Sequence, residues 1–115
     1  PAQDDIEKTL DLNQYLIKNP LFTFILKVNS LSMRDAGIDI GDQIIIDRSI
    51  EAEHGDIVLA LVNNDFTVKR YMRHGNNPHD FWLKAENPDF PDIYPRENEQ
   101  VKVWGIITCI LKKLK

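Results

Sequence analysis

Two side chains in this sequence have the chemistry to attack a carbonyl as a pair, the hydroxyl of Ser32 and the amine of Lys69. Ser32 sits in Asn29-Ser30-Leu31-Ser32-Met33, after an alternating apolar run and before the short polar segment Arg34-Asp35-Ala36-Gly37. A serine where a strand ends can expose its hydroxyl while the turning backbone aims N–H groups at the same point, as an oxyanion requires. Most turn serines merely cap a backbone group, so position alone does not make Ser32 a nucleophile. Lys69 lies in Phe66-Thr67-Val68-Lys69-Arg70-Tyr71-Met72. A period of two places Thr67, Lys69 and Tyr71 on one face and Phe66, Val68, Arg70 and Met72 on the other. Neither face is cleanly polar, so Lys69 or Arg70 rests against apolar surface. Burial disfavours the ammonium and lowers its pKa. Bringing it from about 10.4 to about 7 takes roughly 4–5 kcal/mol of differential solvation. The resulting neutral amine could accept a proton from a serine hydroxyl. The ordinary alternative is a lysine whose stem lies along an edge strand and whose head reaches water.

The elements that must position this pair are mostly strands. Phe22, Phe24 and Leu26 alternate with Thr23, Ile25 and Lys27, and Val28 follows, which predicts a half-buried strand. Gln43–Asp47 carries the β-branched run Ile44-Ile45-Ile46. Ile57–Val62 and Phe66–Met72 flank Asn63-Asn64-Asp65, a hairpin with a polar turn. Phe81–Leu83 is a short strand, and Val101–Leu111 a long closing one. Pro78, Pro88, Pro91 and Pro95 exclude long regular elements between them. Before the strands, Asp11 can cap a short helix through about Lys18, with Leu12, Tyr15 and Leu16 at helical spacing, and Asn19-Pro20 stops it. Pro1–Thr9 reads as a mobile arm with Ile6 its only apolar anchor. The predicted organisation is an arm and helix over residues 1–19 and a mainly β, antiparallel domain over 20–115.

The chain has 115 residues, enough for one domain with its own core. Its formal net charge of −4 disfavours tight binding to duplex DNA. One cysteine, Cys109, cannot form an internal disulfide and reads as a buried small hydrophobe, compatible with a reducing cytoplasm. No apolar stretch reaches the ~20 residues that span a bilayer.

Several motifs in order carry a family resemblance. Ser32-Met33, Gly37 and Ile40-Gly41-Asp42-Gln43-Ile44-Ile45-Ile46-Asp47 resemble the serine segment and Gly-Asp strand of the LexA/UmuD peptidase family. His54-Gly55-Asp56-Ile57-Val58 and Phe66-Thr67-Val68-Lys69-Arg70 resemble its next landmarks, ending at the family's lysine, 37 positions after the serine. Asp11-Leu12-Asn13-Gln14 and Val103-Trp104-Gly105-Ile106-Ile107 are similar to the UmuD/MucA branch. The resemblance spans nearly the whole chain. It implies a LexA/signal-peptidase-like β fold, Ser32 as nucleophile, Lys69 as general base, and an oxyanion hole from the backbone N–H groups of Leu31 and Ser32. With no metal-ligand spacing and no nucleotide fingerprint in the sequence, no cofactor and no metal are expected. The family cuts its own chain at a small-residue–Gly bond upstream of this domain; beginning at Pro1-Ala2-Gln3, the chain looks like the cleaved form.

The same resemblance implies a homodimer that associates with a UmuC-type Y-family polymerase in SOS mutagenesis and translesion synthesis. It further implies cleavage aided by the RecA–single-stranded DNA filament, with the polymerase sliding clamp as a further candidate partner, all in a bacterial cytoplasm. Two alternatives remain: the catalytic domain of a LexA-like or phage-type repressor, and a non-catalytic β interaction module. An encoded extension of ~20–30 residues favours the UmuD branch; a longer one with a helix-turn-helix favours a repressor. One departure concerns Ser30, where the family often has Gly: if that position needs φ > 0, a serine there is strained.

Other polar residues read as solvated. His54, His74 and His79 lie in turns without metal-ligand spacing. Glu97 and Glu99 lack a partner base, and Lys112, Lys113 and Lys115 form a basic tail kept in solvent.

Overall fold

Period-two patterning condenses into one six-stranded antiparallel sheet in the computed structural model, which describes residues 5–96 and 100–115. The strands are β1 (Thr23–Lys27), β2 (Gln43–Asp47), β3 (Ile57–Val62), β4 (Asp65–Arg73), β5 (Phe81–Lys84) and β6 (Val101–Leu111). Their order across the sheet is β1-β2-β6-β3-β4-β5. The last strand thus inserts between β2 and β3 and joins the two halves. It can serve both neighbours because it is long, and its pairing shifts register at Ile45/Ile46 of β2 and at Leu59/Ala60 of β3. Such bulges strengthen local twist and let one strand satisfy two differently inclined partners. Gly105, between the two irregularities, has room for no side chain: a Cβ there would stand 2.5 Å from Ile46 Cγ2.

The β3–β4 hairpin turns through two residues, Asn63 (φ 50°) and Asn64 (φ 72°). Two successive positive φ values match the right-handed twist of the strands, and asparagine tolerates them better than most residues. The predicted three-residue turn is therefore one residue shorter, and Asp65 opens β4 opposite Val62.

The core forms two clusters. One gathers Val28, Met33, Ile38, Ile44, Ile46 and Leu59; the other gathers Val58, Ala60, Tyr71, Leu83 and Ile106. Val58 and Leu59 are sequence neighbours in different clusters, as alternation along a strand requires. Met33 and Ile38, on either side of a 3₁₀ turn at Arg34–Ala36, anchor the segment after Ser32 in the first cluster.

The N-terminal part departs from expectation. The helix covers only Leu12–Leu16, capped by Asp11 Oδ1, which accepts from the Asn13 N–H at 3.0 Å. Ile17 is already extended, and Pro20–Phe22 forms a 3₁₀ turn leading into β1. Ile6 anchors nothing, being 97% exposed. Residues 1–4 of the expected arm lie outside the described residues. β1 is also less buried than its pattern predicts, because it is an edge strand: Phe24 and Ile25 both remain exposed. Cys109 is half-buried rather than buried.

Candidate active site

β4 pairs with β3 along six positions, but β5 covers its other side only from Arg70 to Arg73. The stretch Thr67–Lys69 thus has one edge without a strand partner. The segment that follows β1 packs there and brings Ser32 to Lys69: the two side chains meet with Nζ 2.9 Å from Oγ. Both residues are nearly enclosed, 2% and 5% exposed. The predicted apolar setting belongs to Lys69, not Arg70, whose guanidinium instead binds Glu86 Oε1 at 2.7 Å and the Gly55 carbonyl at 2.5 Å.

Lys69 Nζ has two further neighbours, Thr67 Oγ1 at 2.6 Å and the Val68 carbonyl at 3.2 Å. Nζ donates to all three oxygens; on losing a proton it can keep its N–H groups on Thr67 and Val68 and turn its lone pair to the Ser32 hydroxyl. Removal from water holds the Lys69 pKa below its ordinary value, opposed by the more distant negative charge of Asp92. Among the described residues no carboxylate comes within ion-pair distance of Nζ. Asp92 itself is occupied, with Oδ1 accepting from the Ala85 N–H at 2.9 Å.

The serine segment is held by a clamp from a turn remote in sequence. The Glu86 N–H donates to the Ser32 carbonyl at 2.9 Å and the Asp35 N–H to the Glu86 carbonyl at 2.8 Å. Asn87 Nδ2 donates to the Leu31 carbonyl at 2.8 Å. Ser30 corrects an expectation: it is not in the left-handed region, which among non-glycine described residues holds only Asn63 and Asn64. No strain arises there. Its hydroxyl oxygen accepts from the Ser32 N–H at 3.1 Å, so one of the two expected oxyanion donors is occupied in the resting site. The Leu31 N–H makes no hydrogen bond among the described residues. A cleft lined by Leu26, Val28, Ser30, Ser32, Phe66 and Val68 opens beside Ser32.

Sequence reasoning placed Ser32 and Lys69 but gave no role to Thr67, Glu86, Asn87 or Asp92. Thr67 could have been found, since period two puts it on the face of Lys69; the others arrive from a turn far along the chain. Of the residues set aside, His54 Nδ1 accepts from the Arg73 N–H at 3.0 Å and His74 packs on Trp82 with ring centroids 4.2 Å apart. No metal-holding cluster occurs among the described residues. Glu97 and Glu99 lie outside them. Lys112 is not a free tail residue: it pairs with Asp42 and, at 2.9 Å, with Asp39.

The model of the Peptidase S24-like family matches residues 1–108. Protein MucA of Salmonella typhimurium is 39% identical over 94% of this chain and 72% of its own length. Protein ImpA of Escherichia coli is 36% identical over the whole chain and 76% of its own. LexA repressor 1 of Pseudomonas syringae is 33% identical over 97% of the chain, which spans only 54% of the repressor.

Proposed function

The chain belongs to the peptidase S24-like family, and from that premise we propose that it is a self-cleaving serine–lysine peptidase of the UmuD type. The observation that carries this reading is the enclosed 2.9 Å contact between Lys69 Nζ and Ser32 Oγ, where burial outweighs the more distant charge of Asp92 and no carboxylate of the described residues pairs with the lysine. Neutral Lys69 takes the hydroxyl proton as Oγ bonds to the scissile carbonyl carbon. The oxyanion formed is met by the backbone N–H groups of Leu31 and Ser32, the latter exchanging Ser30 Oγ for the stronger, charged acceptor. The ammonium then gives its proton to the leaving amine as the C–N bond breaks, and water releases the acyl group from Ser32 by the same route reversed. Thr67 Oγ1 and the Val68 carbonyl keep the amine aimed throughout.

The cleaved product then serves as an accessory subunit for a UmuC-type Y-family polymerase in SOS-induced translesion synthesis, cleavage being promoted by the RecA–single-stranded DNA filament. A homodimer is supported by the exposed Phe24 and Ile25 on edge strand β1, since such an edge invites pairing with a second chain. The polymerase sliding clamp is a further candidate partner, and a bacterial cytoplasm suits the lone cysteine. No helix among the described residues is long and apolar enough to cross a membrane. The similarity to LexA repressor 1 supports a second reading, the catalytic domain of a repressor.

Self-cleavage of the full encoded chain, followed from pH 6 to 10, tests the mechanism. A lysine base predicts a rate that rises with pH while the ammonium is losing its proton and levels off above its lowered pKa. Ser32→Ala and Lys69→Ala should each abolish cleavage. Cleavage that survives either substitution removes the assignment and leaves a binding module with a peptidase fold.

A further inference from the structure

The Leu31 carbonyl and the Ser32 N–H belong to one peptide group, and a peptide group is planar. Whatever grips the oxygen therefore sets the direction of the N–H. Asn87 is the side chain that grips it, with Nδ2 2.8 Å from the Leu31 oxygen. Asn87 is 4% exposed, so this amide is committed to the protein and not shared with solvent. Its other atom is engaged as well: Oδ1 accepts from the Asp89 N–H at 3.0 Å and from Arg34 Nη2 at 3.5 Å. The first of these locks the side chain to its own turn; the second ties it to the 3₁₀ turn that follows Ser32. One residue earlier, the Glu86 N–H holds the next carbonyl, that of Ser32. Two consecutive carbonyls of the serine segment, those of Leu31 and Ser32, are thus fixed by two consecutive residues of a distant turn, Asn87 and Glu86.

We propose that Asn87 is a positioning residue for catalysis, fixing the plane of the Leu31–Ser32 peptide so that its N–H, which rests on Ser30 Oγ, remains within reach of the developing oxyanion. This rests on the serine–lysine reading above. Without the Nδ2 contact the peptide could rotate, carrying the donor out of line while leaving Ser32 Oγ and Lys69 in contact. The loss would then fall on stabilisation of the oxyanion and not on the basicity of Lys69. Removing one oxyanion donor outright costs about 10²–10³-fold in rate, which sets the scale.

Asn87→Ser separates the two duties of the side chain. A serine hydroxyl can still accept from the N–H two residues on and so keep the local turn, but it is too short to span to Leu31. Asn87→Ala loses both contacts. Self-cleavage of the full encoded chain would be measured from pH 6 to 10 for parent and both variants, beside their melting temperatures. The expected result is a plateau rate about 10²-fold lower in both variants, with the pH midpoint of the parent retained. An Asn87→Ser plateau within about threefold of the parent overturns the proposal, as does a shifted midpoint with an unchanged plateau. Failure of both variants to fold makes Asn87 part of the frame and overturns it too. A parent chain that never cleaves sinks the serine–lysine reading itself, whereas a cleaving parent with unimpaired variants removes only the role of Asn87.

Discussion

Lys69 and Lys112 are the same residue type in opposite conditions. Lys69 is enclosed, meets only neutral oxygens, and has its pKa pushed down by loss of water. Lys112 stands at the end of β6 in water, hydrogen-bonded to Asp42 and Asp39, and its pKa is pushed up. Asp42 shows the reciprocal effect: the Asp39 N–H, first, and Lys112, second, hold its carboxyl below the ordinary range. The difference teaches that a basic side chain is made reactive by withholding carboxylates, and made structural by supplying them. Three of the five ion pairs in the described residues involve lysine, and none involves Lys69. A charge-paired lysine at that position would keep its proton and could not serve as a base.

The largest expected effect comes from giving both positions a permanent charge. Lys69→Arg should lower self-cleavage by about 10⁴-fold or more, because a guanidinium cannot give up its proton and the base is lost. Lys112→Arg should leave the rate unchanged, since only charge is asked of it. Gel-resolved cleavage of the full encoded chain reads both, and an active Lys69→Arg would break the comparison.

Next in size is Thr67→Val, which removes the hydroxyl 2.6 Å from Nζ. A single hydrogen bond is worth about 1 kcal/mol, so the plateau rate should fall by about fivefold to tenfold as the amine loses its orientation. The hydroxyl also accepts from the ammonium, so its loss disfavours the charged form. The pH midpoint should therefore move to lower values, and a midpoint moving upward would contradict this.

The smallest effects are on stability, and they run in opposite directions. A lysine with a lowered folded pKa binds fewer protons folded than unfolded between that pKa and its ordinary value near 10.5. Stability consequently rises with pH across this window, and below it the burial penalty is fully present. Lys69→Met should raise the melting temperature at neutral pH by a few degrees, the gain shrinking as pH approaches 10. Lys112→Met should lower it slightly at neutral pH. Asp42, with its lowered pKa, contributes stability above its ordinary value of 3.8 that is lost as pH falls through the lowered one. The Lys112→Met difference should therefore vanish in acid. Calorimetry across pH 3–10 compares the two, and deficits of equal sign would refute the contrast.

The strands were legible because their signals are local. Ile44-Ile45-Ile46, the Asn-Asn turn and the apolar run of β6 declare themselves over a few residues, and β6 begins and ends where its composition does. Ser32 and Lys69 were identifiable as candidates from type and setting, and their spacing within several ordered motifs tied them to a family. What local pattern could not supply is which residues arrive from elsewhere. Period two assigned Lys69 and Arg70 to opposite faces, but only the pairing of β4 with a short β5 decided that Lys69 is enclosed while Arg70 meets Glu86. Burial of β1 was overestimated for the same reason: alternation shows which residues could face a core, not whether a second strand covers them. The clamp of Glu86 and Asn87 on the serine segment, the occupation of the Ser32 N–H by Ser30, and the capture of Lys112 by Asp42 all join residues remote in sequence or depend on turn geometry. The sequence by itself determined the elements and the chemical candidates, since propensity and period act over a few residues. Only the tertiary structure decided which lysine has its pKa lowered and which has it raised, because desolvation and pairing are properties of the space around a side chain.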